Sequence, residues 1–334
     1  MKFAKLVTAV DSHTEGQPTR VVLGGIPQIP GKTMLQKMQY MQEHLDDLRL
    51  LLIREPRGHN AMLSALLTSP TVPEADVGVL YLGHAGYATM CGHGSIGVAT
   101  TLVELGMVEV REPETEIVLD TPAGLVRARV AVEHGRAKAV TFRNVPSFLY
   151  QSDAEVQVPG LGPVRLDVAW GGSFKAILPA ATVGLEIRPE RAAEIIACGI
   201  RIQEAASRQL QVRHPEKPGI TGVESVLFSA EATHPEATLK NTLVYAGDLD
   251  RSPCGTGTCA KMAQLHAKGE LALNQEFVHE SIVGTLFRGK LIAETTVGPY
   301  RAVVPTVTGR AWVMDLAQFV LDPCDVFPAG FYVG

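Results

Sequence analysis

Two similar successions of apolar and polar positions follow one another along the chain, and each predicts strands before and after a long helix. In the first, loose alternation over residues 3–10 and apolar runs at 19–23, 63–67 and 77–82 indicate strands. Between them, residues 32–52 carry methionine and leucine at helical spacing, which predicts one long helix that packs through its apolar side. The second succession repeats this order, with strands over 164–169, 174–178, 222–229 and 241–246 and a helix over 189–210.

Short β-rich runs separated by glycine and proline close each succession and predict antiparallel meanders. They cover residues 116–121, 125–132 and 137–142 in the first half, and 277–283, 291–297, 300–305 and 310–316 in the second. Two polar segments lie outside this pattern. Asp11 to Pro18 is turn-rich, and its sequence fits a substrate-facing loop and a plain connection equally well. The proline-broken end, Leu321 to Phe331, is expected to pack back on one lobe.

One short motif occurs at corresponding points of the two successions: a cysteine in a glycine-rich turn, directly followed by a helical segment. The first copy is Met90-Cys-Gly-His-Gly-Ser-Ile-Gly97, and the second is Asp250-Arg-Ser-Pro-Cys-Gly-Thr-Gly-Thr258. Gly106 and Gly269 stand at equal distances behind the two cysteines and are expected to end both helices. Gly135-Arg-Ala and Gly309-Arg-Ala look like a further matched pair, at hairpins.

The repeat predicts two related lobes, each presenting a thiol from a helix N-terminus. Residues 1–143 are expected to form the first lobe, which carries Cys91, with the tail 318–334 packed back on it. Residues 144–317 are expected to form the second lobe, which carries Cys254. A chain of 334 residues with 46% hydrophobic content is long enough to build two such cores.

Charge, hydropathy and cysteine content indicate which partners and which cellular compartment to expect. A net charge of −5 provides no basic surface for nucleic acid or for an anionic membrane, so neither is an expected partner. The N-terminal run lacks the longer apolar core of a signal peptide, and no apolar run is long enough to span a bilayer. Five cysteines without framework spacing fit a reducing compartment, so a cytoplasmic location is expected.

Thiols at helix N-termini are expected to be reactive, because free N–H groups and the helix dipole favour the thiolate. A structural zinc site requires paired Cys or His at close spacing, and Cys91 with His93 is a poor start for one, so no metal is expected. Cys254 and Cys259 do not form the Cys-x-x-Cys pair of a redox protein, and Cys259 is expected to pack one turn inside its helix. A cysteine hydrolase needs one nucleophile and leaves the repeat unexplained.

Two thiols are suited to inversion at a stereocentre, where a base acts on one face of the substrate and an acid on the other. A thiolate removes the α-proton of an amino acid while a thiol returns one, and the site must stabilise the charge that develops on the carboxylate. The candidates for that stabilisation are the helix N-terminal N–H groups of Gly92, His93, Gly255 and Thr256. Asp250, supported by His93, is the candidate for binding the substrate ammonium.

Both cysteine motifs resemble the two signature stretches of the proline racemase family. The resemblance extends to Asp11-Ser-His-Thr-Glu-Gly16, Arg57-Gly-His-Asn60 and the ending Phe327-Pro-Ala-Gly-Phe331, so it covers essentially the whole chain. It implies an α+β, diaminopimelate-epimerase-like fold of two pseudo-symmetric lobes, each with a mixed β-sheet wrapped around a central helix. It also implies a homodimer and an isomerase that uses no cofactor and takes a small-molecule substrate, proline or hydroxyproline.

The same resemblance implies a role for each residue of the motifs. The acid/base pair is Cys91 and Cys254. The side chains at the substrate amine are those of His93 and Asp250. The N–H groups at the substrate carboxylate are those of Gly92, Gly255 and Thr256. The expected reaction inverts C2 of 4-hydroxyproline, from trans-4-hydroxy-L-proline to cis-4-hydroxy-D-proline, or of proline.

Two alternatives to this isomerase remain. The first is a lyase that dehydrates trans-3-hydroxy-L-proline, although that branch of the family has threonine in place of the second cysteine, here Cys254. The second is a binding protein without turnover, which would have no reason to keep both thiols.

Overall fold

The computed structural model describes residues 4–333, and their contacts separate the chain into two compact units. Unit 1 comprises the residues up to Phe142 together with those from Gly309 onward, and unit 2 comprises Arg143–Thr308. The second segment of unit 1 thus starts at Gly309 rather than at residue 318, because the strand predicted at 310–316 pairs with the N-terminal strand of unit 1.

Strands and short loops make up most of both units. In chain order the strands are β1 (Lys5–Thr14), β2 (Gln17–Gly24), β3 (Leu63–Thr68), β4 (Val77–Gly83), β5 (Gly86–Ala88), β6 (Glu114–Thr121), β7 (Gly124–Glu133), β8 (Arg136–Arg143), β9 (Phe148–Val158), β10 (Gly162–Trp170), β11 (Phe174–Pro179), β12 (Ser225–Ala230), β13 (Leu239–Tyr245), β14 (Asp248–Leu249), β15 (Glu276–Glu280), β16 (Leu286–Val297), β17 (Tyr300–Gly309) and β18 (Ala311–Leu321). The α-helices are α1 (Met34–His44), α2 (Asp46–Ile53), α3 (Gly92–Glu104), α4 (Ala192–Gln209) and α5 (Gly255–Ala267).

Unit 1 is built on one mixed sheet wrapped around α3. Its strands pair in the order β18-β1-β2-β3-β4-β6-β7-β8, with β5 also paired to β4. The β2–β3 and β4–β6 pairs are parallel, and the others are antiparallel. Helix α3 contacts β1, β2, β3, β7 and β18. Nearly every residue of α3 is buried, as expected for a helix surrounded by strands.

Unit 2 repeats this topology strand for strand around α5. Its order is β9-β10-β11-β12-β13-β15-β16-β17, with β14 also paired to β13. The parallel pairs, β11–β12 and β13–β15, fall at the same places as in unit 1. Helix α5 contacts β9, β10, β11 and β16. The predicted α+β fold, with two pseudo-symmetric lobes and a central helix in each, is confirmed.

Glycine ends both central helices, as the spacing predicts. The N–H of Gly106 donates to the carbonyl of Val103, and the next N–H reaches back to Leu102; Gly269 repeats this pattern at the end of α5. Both glycines have positive φ, 62° and 78°, which completes a Schellman cap.

The proposed match between Gly135 and Gly309 is wrong. Gly135 lies in the β7–β8 hairpin, whose counterpart in unit 2 is the β16–β17 hairpin with Gly298.

The single helix predicted over residues 32–52 is two helices. Leu45 leaves the helical region, with φ −134° and ψ 19°, so that it ends α1 and begins α2. Asp46 and Asp47 then occupy the first turn of α2, where the helix dipole favours negative charge. Neither acid was recognised as a helix start, because both fit the polar side of a longer helix.

Strands replace two further sequence-based expectations. Asp11 to Pro18 is largely strand, since β1 continues to Thr14 and β2 starts at Gln17, with a tight turn at Glu15 and Gly16 between them. Strand β9 was not predicted at all, although its second half alternates buried and exposed positions.

Candidate active site

Cys91 is the N-cap residue of α3 in unit 1. Its backbone is extended, and its carbonyl accepts two hydrogen bonds from Ser95, from the N–H at 2.9 Å and from Oγ at 2.7 Å. The sequence permits this start because Gly94 carries no side chain: a Cβ there would lie only 2.8 Å from Leu63 and 2.9 Å from the Tyr81 ring. The glycine therefore lets the first turn of the helix press against the sheet.

The thiol of Cys91 is partly exposed and lies against an imidazole. Its Sγ is 3.3 Å from Nδ1 of His93, the second residue of the helix. The carbonyl of His93 in turn accepts a hydrogen bond of 2.9 Å from Thr14 Oγ1 at the end of β1. Tyr81 shares a 2.7 Å hydrogen bond with Ser95 behind the turn, and its complete burial raises the pKa of its phenol, so this phenol stays protonated.

Cys254 is the N-cap residue of α5 in unit 2, but its backbone differs from that of Cys91. It has φ 62°, a left-handed conformation that is uncommon for a residue with a side chain. Its sulfur accepts a hydrogen bond of 3.3 Å from the N–H of Gly257 and lies 3.6 Å from Thr256 Oγ1. Its own N–H donates to Ser252 Oγ at 3.2 Å. This thiol is buried, with 7% of the residue's surface exposed.

Burial dominates the electrostatics of the Cys254 thiol. Desolvation, reinforced by the negative charge of Asp250, raises its pKa to about 11, against the opposing effects of Lys175, Thr256 and the Gly257 N–H. For Cys254 the expectation of a readily ionised thiol at a helix N-terminus is therefore wrong. The N–H of Gly257 in the helix stabilises the thiolate, but the desolvation of the buried sulfur has the larger effect and favours the neutral thiol.

Asp250 is held on the loop between β14 and α5. Its Oδ1 accepts hydrogen bonds from the N–H of Ser252 at 3.0 Å and from Ser252 Oγ at 2.9 Å. Its N–H donates to the carbonyl of Leu243 in β13, which ties the loop to the sheet. These bonds hold the Asp250 carboxylate in place, and its negative charge raises the pKa of Cys254, four residues later.

A buried polar network supports the loop from below, and sequence reasoning missed it. Asn241 Nδ2 and Thr258 Oγ1 donate to the carbonyl of Pro253, at 3.0 and 3.3 Å. Thr258 also contacts Nδ1 of His279 at 3.0 Å, and complete burial holds the pKa of that imidazole well below its usual range. The available signal was that Asn241 and His279 are polar residues within segments predicted to be strands.

The structure groups the predicted site residues by unit. Unit 1 brings together Cys91, Gly92 and His93, and unit 2 brings together Asp250, Cys254, Gly255 and Thr256. Gly92, Gly255 and Thr256 lie in the first turns of their helices, where backbone N–H groups have no partner within the helix. Those N–H groups can donate to an anion.

Metal-ligand clusters and membrane-spanning helices are both absent from residues 4–333. Within them, no three or more His, Cys, Asp or Glu side chains are arranged to hold a metal ion. No helix in the same range combines the length and apolar character needed to cross a membrane.

Comparison with known proteins gives matches over the full length of the chain. A 4-hydroxyproline 2-epimerase from Streptosporangium roseum is 52% identical over 331 residues, 99% of each chain. A proline racemase from Clostridioides difficile is 46% identical over 332 residues, again 99% of each chain. A trans-3-hydroxy-L-proline dehydratase from Bacillus cereus is 40% identical over 335 residues, 100% of each chain.

The structural comparison agrees with the sequence comparison. A solved hydroxyproline epimerase from Agrobacterium vitis, with bound trans-4-hydroxy-L-proline, matches with a TM-score of 0.90 and 35% identity, covering 100% of this chain and 96% of the other. The family profile described as proline racemase matches residues 9–332. The chain therefore belongs to the proline racemase family.

Proposed function

We propose that this protein is a cofactor-independent epimerase or racemase that inverts C2 of 4-hydroxyproline or proline, with Cys91 and Cys254 as its acid/base pair. The observation that carries the proposal is the equal placement of the two thiols. Each is the N-cap residue of the central helix in its unit, and the two units share one topology. A reaction that needs one acid and one base uses such a duplicated arrangement in full.

Inversion requires one proton to leave the α-carbon and another to arrive on the opposite face. The thiolate of one cysteine takes the α-proton, and the C–H electron pair moves into the substrate carboxylate as an enolate-like charge. The thiol of the other cysteine then protonates the α-carbon, so that the two cysteines exchange protonation states in each turnover. Substrate of the opposite configuration reacts with the roles reversed.

The charges of an amino acid match the polar groups at the two helix starts. The N–H groups of Gly92, Gly255 and Thr256 bind the carboxylate and gain strength as negative charge develops on it. The carboxylate of Asp250 binds the substrate ammonium, with His93 in support. His93 also contacts the Cys91 thiol, at 3.3 Å, so it links substrate binding to that acid/base group.

4-Hydroxyproline is the first substrate to test, with proline next. The relative with 52% identity is a 4-hydroxyproline 2-epimerase, and the relative with 46% identity is a proline racemase. The solved hydroxyproline epimerase, which matches with a TM-score of 0.90, has trans-4-hydroxy-L-proline bound.

Dehydration of trans-3-hydroxy-L-proline is the alternative activity, since a dehydratase is 40% identical over the whole chain. It needs only one base to remove the α-proton, because loss of the 3-hydroxyl replaces reprotonation at C2. The family's dehydratase branch is expected to carry threonine at the second thiol. Cys254 stands there instead, and it favours the two-base reaction.

Proton NMR in D2O tests both activities in one series. Purified protein is incubated separately with trans-4-hydroxy-L-proline, L-proline and trans-3-hydroxy-L-proline. Loss of the α-proton signal together with formation of the C2 epimer supports the proposal and identifies the substrate. Formation of a pyrroline from the 3-hydroxy isomer, without epimerisation of the other two, contradicts it in favour of the dehydratase.

A cytoplasmic location and a homodimer complete the proposal. Reactive thiols persist in a reducing compartment, and within residues 4–333, which include all five cysteines, no disulfide forms. The homodimer is carried over from the family resemblance, and sedimentation of the purified protein tests it directly.

A further inference from the structure

Lys175 is a buried cation in unit 2 that the proposed reaction does not yet use. It lies on β11 opposite Ser225 of β12, and 2% of its surface is exposed. Its ammonium donates to two hydroxyls, Ser173 Oγ at 2.9 Å and Ser225 Oγ at 3.1 Å. Within the described chain it forms no ion pair with a carboxylate. A buried ammonium with only neutral partners is costly, so its presence calls for a negative charge nearby during function.

Ile177 and Leu227 lie two positions after Lys175 and Ser225, on the same face of the paired strands, and both pack with Cys254 in one buried cluster. The Cys254 sulfur is therefore the group near Lys175 that can carry such a charge. The charged and titratable groups acting on this thiol are Asp250, which opposes its ionisation, and Lys175, which favours it. Cys259, one turn along the helix, also feels both Cys254 and Lys175, but it is fully buried and its pKa is raised to about 12. Of the two thiols, Cys254 is therefore the one that ionises first.

Unit 1 has no counterpart of this lysine. The equivalent position in unit 1 is Thr19, which pairs with Leu63 as Lys175 pairs with Ser225. The two pairs lie at the same distance from the equivalent hairpins, β4–β5 in unit 1 and β13–β14 in unit 2. Thr19 lies against α3, since a Cβ on Gly97 would be 3.2 Å from its own Cβ. The lysine is thus specific to the unit whose thiol is buried beside an acid.

We propose that Lys175 is a positioning residue whose buried ammonium stabilises the Cys254 thiolate whenever Cys254 serves as the base. The proposal rests on the acid/base role of Cys254 and explains how a thiol that is buried beside Asp250 can be ionised in half of the catalytic cycle. Ser173 and Ser225 hold the ammonium in place, so the charge is fixed before the α-proton moves. Cys91 is partly exposed and lies against His93, so it does not depend on Lys175.

Iodoacetamide alkylation measures this effect without substrate. The rate at Cys254 is followed by peptide mass spectrometry at fixed pH values from about 7 to 9, where a lysine ammonium is charged, with Cys91 in the same protein as internal reference. Lys175→Gln keeps a hydrogen-bonding group near the serines and removes the charge, whereas Lys175→Arg keeps the charge. We expect Lys175→Gln to slow alkylation of Cys254 by about 10–10³-fold at each pH, because losing one neighbouring opposite charge usually shifts a pKa by about 1–3 units. Lys175→Arg restores most of the rate, and Cys91 does not respond.

Lys37→Met is the matched control, because Lys37 is a buried lysine of unit 1 that bonds Thr68 Oγ1 and the Ser69 carbonyl. It should leave both alkylation rates unchanged. An unchanged Cys254 rate in Lys175→Gln overturns the inference, as does an equal loss of rate in Lys175→Gln and Lys175→Arg. Lys175→Met provides the same test if the glutamine variant does not fold. Absence of epimerisation by the wild type would instead overturn the proposed function and leave this measurement valid.

Discussion

The two units start their central helices with the same Cys-Gly turn but hold the thiol in opposite ways. Cys91 has an extended backbone, and its partly exposed sulfur contacts the imidazole of His93. Cys254 has a left-handed backbone, and its buried sulfur accepts the N–H of Gly257. One sulfur lies against the side chain of a histidine, and the other accepts a hydrogen bond from its own helix.

Behind each thiol, both units have a hydroxyl at the same position of the helix, but the side chain that shares this hydroxyl differs. Ser95 and Thr258 each stand four positions after their cysteine, and both hydroxyls donate to the carbonyl of a residue in the turn. Ser95 is shared with the phenol of Tyr81, whereas Thr258 is shared with the imidazole of His279.

The scaffold farther from the thiols differs much less. Asp120 on β6 accepts hydrogen bonds from the N–H and hydroxyl of Thr71, and Glu280 on β15 does the same with Thr233. Both acids sit at the same register of their parallel strand pairs. The duplicated units have therefore kept their sheet connections while the surroundings of the two sulfurs diverged.

Replacing either thiol is the largest test of whether the unlike sites are equal partners. Cys91→Ser and Cys254→Ser are each expected to lower kcat for epimerisation by about 10²–10⁴-fold, the usual contribution of one acid/base group. The loss should be similar in both, since every turnover uses both groups. Cys324→Ser, at an exposed cysteine of the tail, is the control and should keep full activity. A Cys254→Ser variant with full activity would break the equivalence of the two units.

Alkylation of the wild type sharpens the contrast between the thiols. Because the pKa of Cys254 is about 11, its thiolate fraction near pH 8 is about 10⁻³ and grows roughly tenfold per pH unit until the pKa is reached. Cys91 is more exposed, and it is expected to react with iodoacetamide at least about tenfold faster at that pH. Peptide mass spectrometry separates the two rates. Equal rates at neutral pH would show that burial does not distinguish the sites.

His279→Leu tests the network that is specific to unit 2, using the residue type of Leu119, which holds the same register in unit 1. Asn241 and Thr258 lose a buried partner, so we expect a loss of about 1–3 kcal/mol in the free energy of unfolding at neutral pH. Urea unfolding measures it. An unchanged free energy of unfolding would mean that the network makes no net contribution to stability. His44→Leu, at an exposed histidine of α1, is the control.

The same variant carries a prediction on pH dependence. The folded state holds the pKa of His279 far below its ordinary value near 6.5, so the unfolded chain binds the proton more tightly. The contribution of neutral His279 is therefore complete above about pH 6.5 and is lost as the pH falls below that value. Wild-type stability should decline on acidification through this window, and His279→Leu should lose that part of the decline. Parallel declines would assign it to other groups.

The smallest effect is expected where the units are alike. Gly106→Ala and Gly269→Ala place a side chain at positive φ in open space, since nothing lies within 4 Å of either added Cβ. Only backbone strain remains, and each variant should lose about 1 kcal/mol of unfolding free energy. Urea unfolding of the two variants should agree closely. A clear difference between them would mean that the two helix caps are not equivalent.

Sequence patterns were sufficient for the duplicated architecture and for the two turns. Periodicity located most strands, and the glycine spacing behind Cys91 and Cys254 correctly ended both central helices. The unit membership of β18 depends on its tertiary pairing with β1. No local pattern encodes it, because residues 310–316 suit a strand in either sheet.

The surroundings of the thiols were harder to predict than the thiols themselves. The motif located Cys254, but its raised pKa follows from burial under a complete fold. Lys175 was visible only as a charged residue inside an apolar strand. Its meaning depends on Ser173 and Ser225, and on a cysteine that is distant in sequence.

The pairing of β18 with β1 makes the order of synthesis matter for folding. The two strands match over their full length, with Lys5 opposite Leu321, yet a ribosome produces β18 only after every strand of unit 2. Unit 2 has its corresponding edge strand, β9, at the start of its own segment. During synthesis, unit 2 can thus be completed before β1 pairs with β18. This order is the reverse of the usual one, in which the N-terminal domain folds first. Unit 1 becomes complete only once residue 321 has left the exit tunnel.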